Sequence, residues 1–237
     1  MRLSTRAWVV LGAALGLALV FVTDQVVPPA TPYQAQLRVW LAARASGIAA
    51  YLLLTGLVAL GMLLSHPTNQ ASWKQSRRVF PWHEHLFVFV IAFVLVHVAA
   101  IAADPYAGVG IGGALVPGLS SYRSAPVALG SLALYAAIAT AVTARWTRLL
   151  PAGLWLQLHR LAALAWILAW GHGMLAGTDS QPLLPLYLAS GAMVAGFAAW
   201  RYWIPRRSRK RQPTTGSMPP PPALQPLSAG VSEVHER

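Results

Sequence analysis

The stretch Trp82–Val98, WHEHLFVFVIAFVLVHV, decides how this chain is read. It sets His83 at the start of an apolar run and His97 fourteen residues later, with only apolar side chains from Leu86 to Val96. Fourteen residues of α-helix rise ~21 Å and stop ~40° short of whole turns, so both rings can face one side. His85 lies ~120° off the face of His97, which makes it an interfacial bystander. A second stretch, Leu158–Ser180, LHRLAALAWILAWGHGMLAGTDS, carries His159 and His172 thirteen residues apart, ~20 Å along a helix. An imidazole buried in hydrocarbon loses its water partners and must find a ligand or a hydrogen bond within the protein. Thirteen residues also turn an ideal helix ~140° away from a full turn, so His159 and His172 should not share a face unless tilt or offset ligands reconcile them.

Composition places these stretches in a bilayer. Of 237 residues, 56% are hydrophobic and only 10% charged, too apolar a balance for an ordinary soluble domain. Cysteine is absent, which excludes disulfides, thiolate metal sites and covalently attached haem. The net charge of +12 sits in short clusters between apolar runs rather than along one soluble face, so it argues for membrane topology and against nucleic acid.

Six apolar runs approach the ~20 residues a helix needs to cross the hydrocarbon core. They are Trp8 to Thr23, Gly47 to Ser65, Leu86 to Ala103, Val127 to Ala144, Leu158 to Ala176 and Leu183 to Trp203. The expected fold is all-α: a six-helix transmembrane bundle with both termini cytoplasmic. That orientation puts fifteen of the eighteen Lys and Arg inside and only Arg38, Arg44 and Arg123 outside, as the positive-inside rule favours. A cleaved signal peptide is the alternative reading of the first run, and its removal leaves the other crossings oriented as before. Trp8, Trp82, Trp146, Trp155, Trp200 and Trp203 lie near run ends, where an indole buries its ring and keeps its N–H wet. The sequence divides into residues 1–43 (first transmembrane helix and external linker), 44–204 (the bundle proper) and 205–237, a basic, Pro-rich cytoplasmic tail expected to be disordered. No internal repeat is evident.

Runs three and five travel in the same direction, so His83 meets His159 near the inner surface and His97 meets His172 near the outer one. Each pair offers two imidazole nitrogens to opposite faces of one iron and leaves no open coordination position, which suits electron transfer. A single buried histidine more often satisfies a neighbouring helix, but four at two matched depths favour ligation. A histidine-lined metal-ion transporter is the competing reading, and a structural membrane module without redox chemistry the third. Transport sites for hard or borderline cations recruit carboxylates. Here Glu84 stands at a helix start and Asp24 and Asp104 at helix ends.

Together with Arg44–Gly61, RASGIAAYLLLTGLVALG, the two histidine stretches resemble the ferric reductase-like transmembrane domain, a match spanning about Arg44 to Trp203. That family unites ferric reductases, NADPH oxidases and bacterial haem-binding membrane subunits. The resemblance implies two b haems, with His83, His97, His159 and His172 binding the haem iron. It also implies that Arg160, following the inner histidine, neutralises an inner haem propionate; an arginine snorkelling to lipid phosphates is the plain alternative. The first histidine helix carries Glu84 at the corresponding place. Family reductases continue into a flavin and nicotinamide domain, so here flavin or NAD(P)H enters only through a partner: a cytoplasmic flavoprotein, or quinol in its stead. A soluble donor would be drawn by Lys74, Arg77, Arg78, Arg145 and Arg148. The acceptor is ferric iron or an external oxidoreductase, as for the haem subunit of periplasmic methionine-sulfoxide reductase.

Trp166 and Trp170 lie ~20° from the face of His159; helix packing is their plainer role, and standing between the haems the alternative. Arg123 is an outer counterpart of Arg160 on weaker grounds. Gly108, Gly110 and Gly113 satisfy G-x-G-x-x-G but follow no strand, so residues 105–122 read as a flexible apolar loop able to cover the outer haem. His66 in a loop and His235 in the tail are not ligand candidates.

Overall fold

The computed structural model describes residues 7, 30–66, 74–151, 153–177 and 180–203. The first apolar run, the signal-peptide alternative, Asp24, Asp179 and the tail lie outside the described residues. Every described residue belongs to one compact unit, Met1–Ile204.

The described residues are helical, with no strand among them. The helices are α1 (Pro32–Leu64), α2 (Lys74–Ala103), α3 (Gly110–Leu115), α4 (Ser124–Arg145), α5 (Leu154–His159), α6 (Leu161–Ala176) and α7 (Ser180–Trp203), with a 3-10 turn at Thr147–Leu149. Four of them, α1, α2, α4 and α7, are long and apolar enough to cross a membrane. The expected boundaries shift most for α1, which begins fifteen residues before Gly47. Thr31 caps it, its hydroxyl accepting from the Gln34 N–H at 3.2 Å, and Pro32 occupies the first turn, where its missing N–H costs nothing. At 33 residues α1 is ~50 Å long, more than the ~30 Å hydrocarbon core.

The fifth run is broken rather than continuous. Arg160 separates α5 from α6, and i→i+3 bonds replace the α pattern there: Arg160 N–H to Gln157 at 3.2 Å and Ala163 N–H to Arg160 at 3.0 Å. Counted through the break, Leu154–Ala176 is 23 residues, ~34 Å, again enough to span. Each residue wound at 3.0 rather than 3.6 per turn adds ~20° of rotation, so the tightened turn at Arg160 works against the ~140° offset between His159 and His172.

Contacts fix the packing directions. Gly47 abuts His97, Gly56 abuts Leu86 and Gly61 abuts His83, so α1 and α2 form an antiparallel hairpin. Arg123 against Leu175 and Pro126 against His172 make α4 and α6 a second one, with Gly130 under the His172 ring. The α7 helix runs beside both, with Tyr187 on Gly173, Ser190 on Tyr51 and Trp200 on His66. Between α1, α6 and α7 lies a core of Tyr51, Val58, Trp166 and Tyr187.

Polarity is distributed as a lipid solvent requires. Ser46, Thr55, Ser131, Thr140 and Ser190 are buried, while Leu95 is 62% exposed, Ile167 53% and Leu188 56%. In water such outward apolar faces would associate; against lipid tails they cost nothing, and helices then pack through small residues and interhelical hydrogen bonds. The inward hydroxyls are satisfied locally, Thr55 donating to the Tyr51 carbonyl at 2.8 Å and Ser46 to the Ala42 carbonyl at 2.6 Å.

Residues 105–122 are not the flexible loop expected from their glycines. Asp104, 2% exposed, accepts the Tyr106 and Ala107 N–H groups at 3.2 and 3.0 Å, starting a turn that leads into α3. Ser131 then donates to the Ala114 carbonyl at 2.8 Å and Tyr135 to that of Leu115, locking α3 onto α4. The glycines serve geometry, with Gly108 and Gly110 at φ +62° and Gly118 at φ +85°, values that L side chains rarely adopt.

Candidate functional site

Two histidine pairs face each other across the space between the hairpins. The ring centres of His83 and His159 are 6.3 Å apart with planes at 67°, and those of His97 and His172 are 6.1 Å apart at 73°. A hydrogen bond between two rings, even stretched to 3.5 Å, holds their centres within ~5.8 Å, so neither pair is closed by one. A metal–imidazole distance of ~2.0–2.1 Å, plus ~1.1 Å from each nitrogen to its ring centre, sets two trans imidazoles ~6.3 Å apart. Both separations therefore have the width of one metal atom held between two nitrogens.

The pair made by His97 and His172 is anchored from behind. Nδ1 of His97 donates to the Ala43 carbonyl at 2.7 Å and Nδ1 of His172 to the Pro126 carbonyl at 2.9 Å. Each carbonyl lies four residues before a glycine, Gly47 or Gly130, that the ring rests against; a Cβ on either would come within 2.8 Å of Nδ1. A donating Nδ1 fixes the tautomer and leaves Nε2 as the ligating nitrogen. At the other level, Nδ1 of His83 and of His159 are buried without a hydrogen-bond partner.

One cavity of about 1910 Å³ is lined by all four histidines and by Arg160. That is roughly twice the ~1,000 Å³ upper end of ordinary ligand pockets. Its polar endowment is sparse: among the described residues no three of His, Cys, Asp and Glu come together as a metal-binding group. Two donors per level are too few for a structural zinc site but are what a porphyrin iron, with four nitrogens of its own, requires.

The remaining sequence candidates fall as follows. Arg160 is exposed at the break between α5 and α6, next to His159 and on the cavity wall. His85 turns back on its own helix, its Nδ1 2.5 Å from the Pro81 carbonyl, and does not join the His83 pair. His66 lies just beyond the end of α1, 1% exposed and stacked on Trp200 at 3.8 Å, away from either pair. Arg123 donates to the Leu175 and Gly177 carbonyls at 2.9 and 3.4 Å, tying the end of α6. Trp166, 5% exposed, belongs to the core, and its indole N–H donates to Thr55 at 2.9 Å; Trp170 stacks on it and donates to the Tyr187 carbonyl at 3.0 Å.

Sequence reasoning missed Ala43, Gly47, Gly61, Pro126 and Gly130. A signal for two of them was present: Gly47 and Gly61 are fourteen residues apart, the interval of His83 and His97 on the antiparallel neighbour. The internal kinship of the two hairpins, each pairing a histidine with a glycine and the carbonyl four residues before it, is carried by contacts and not by similar sequence. Compared with known proteins, the chain matches no family model, no curated protein and no solved structure.

Proposed function

We propose that this chain is a transmembrane b-type cytochrome of the cytoplasmic membrane, passing single electrons across it through two bis-histidine haems to ferric iron or to an external oxidoreductase. The observation that carries this reading is the pair of imidazole ring-centre separations, 6.3 and 6.1 Å, on one cavity and thirteen to fourteen residues apart along their helices. His83 with His159 holds the inner haem and His97 with His172 the outer one; bound haem iron supplies one-electron exchange between its ferric and ferrous states. The protein residues orient and insulate. The Ala43 and Pro126 carbonyls hold two rings by Nδ1 and leave Nε2 as the ligating nitrogen, and the apolar walls exclude the water that would compete for coordination. Arg160, beside the inner pair, offers a cation to a propionate.

Both termini are cytoplasmic in this reading because that orientation leaves most Lys and Arg inside. The electron donor is a flavoprotein or quinol on that side, with Arg77, Arg78, Arg145 and Arg148, all exposed, forming the attractive surface for an acidic partner. Membranes bearing the protein should give a dithionite-reducible b-type spectrum with two haems per purified chain. Colourless protein that takes up divalent metal would instead favour the transporter.

A further inference from the structure

The four histidines are alike in sequence but not in what stands behind them. In a helix each carbonyl accepts from the N–H four residues on and keeps a second lone pair, which a side chain at that later position normally shields. Glycine at 47 and at 130 uncovers the lone pairs of Ala43 and Pro126, and the two rings occupy that space: a Cβ on Gly47 would meet His97 Nδ1 at 2.8 Å and Cε1 at 2.9 Å, and one on Gly130 would meet the same atoms of His172 at the same distances. The corresponding carbonyl for His83 is Leu57, four residues before Gly61. The ring interacts with it without a hydrogen bond of normal geometry, and its Nδ1 stays unpartnered, as does that of His159. Gly61 leaves more room, its added Cβ standing 3.5 Å from His83 Cε1. A buried, unpartnered nitrogen carries its full desolvation cost, and no hydrogen bond at Nδ1 fixes either ring.

We propose that the two levels differ in preorganisation, resting on the haem reading above: the His97–His172 level is a preformed porphyrin-iron site that fills first and empties last, whereas the His83–His159 level is completed only as its ligand arrives. Gly47 and Gly130, acting through the carbonyls of Ala43 and Pro126, are the positioning residues of the first. Contacts that orient a ligating histidine contribute ~10–100-fold in affinity; one level has two such hydrogen bonds, whereas at the other only the Leu57 carbonyl approaches His83, short of normal hydrogen-bond geometry.

The experiment is a haemin titration of the full-length chain, stripped of haem in detergent, read by Soret absorbance and by the low-spin ferric resonance. Two steps are expected, the first at least ~10-fold tighter. His159→Leu should retain the tight step and lose the weak one. Gly47→Ala and Gly130→Ala should each weaken the tight step by ~10–100-fold and shift its resonance, while Gly56→Ala, whose Cβ meets only Leu86 at 3.4 Å, should leave both steps unchanged. Uptake of two equivalent haems in a single step overturns the proposal, as does equal damage from Gly47→Ala and Gly56→Ala. Should either alanine variant fail to fold, the order of the two steps in wild type and His159→Leu still decides. Absence of any haem uptake by the wild-type chain removes the cytochrome reading itself, a result distinct from one-step uptake.

Discussion

Replacing His172 with leucine separates the two levels most directly. The ring lost is one of two whose centres stand 6.1 Å apart, and leucine fills much of the vacated space without offering a donor. Among the described residues no other imidazole is placed to substitute. His159 is thirteen residues away on the same stretch, ~20 Å along the helix, and His85 is turned onto the Pro81 carbonyl. In the proposed cytochrome His97 alone would then hold that haem, and the affinity loss should exceed the ~10–100-fold typical of losing a supporting contact. Haem content should fall from two per chain to one, with the reduced-minus-oxidised α-band roughly halved. The surviving centre should keep its low-spin signal, because the His83–His159 pair, with ring centres 6.3 Å apart, is untouched. Pyridine haemochrome assay against protein concentration, with electron paramagnetic resonance of the oxidised protein, measures both. Loss of both haems in equal proportion, from a variant that remains folded, would show that the levels are not separate; retention of two low-spin haems would show that His172 is not a ligand.

Further outcomes follow from individual contacts. The 2.9 Å bond from the Trp166 indole to Thr55 joins α6 to α1, and a Trp166→Phe, Thr55→Val double-mutant cycle should give a coupling of ~0.6 kcal/mol, at most ~1.7, by reversible unfolding in mixed micelles; no coupling argues against the hairpin docking. Arg160→Gln should weaken haem retention several-fold at the His83–His159 level alone, and an equal effect at both levels would detach Arg160 from the inner site. Arg123 has φ 39° and ψ 61°, so Arg123→Gly should unfold at higher temperature than Arg123→Ala, the left-handed backbone favouring glycine by about 1 kcal/mol. Both variants lose the bonds to Leu175 and Gly177, and faster amide exchange at the end of α6 is the check on that contact.

The apolar runs were legible because helix length and hydropathy are properties of contiguous residues; α4 and α7 begin only three residues before the runs that announced them. Boundaries failed where local signals competed. Polar residues before Gly47 concealed the first fifteen residues of α1, which its Thr31 cap and Pro32 mark, and the glycines of residues 105–122 suggested mobility where Asp104, Ser131 and Tyr135 impose order. The break at Arg160 has no proline to announce it, and it eases the rotational conflict between His159 and His172 that an ideal helix creates.

By itself the sequence determined that this chain is helical and apolar enough for a membrane, and that four imidazoles recur at two intervals, since period and composition depend only on neighbours along the chain. Which rings meet, at what separation, and which are held from behind was decided by the tertiary structure. Those facts depend on Gly47 and Gly130 letting one helix approach another closely enough for Ala43 and Pro126 to reach a histidine some fifty residues away, a contact that no local pattern encodes.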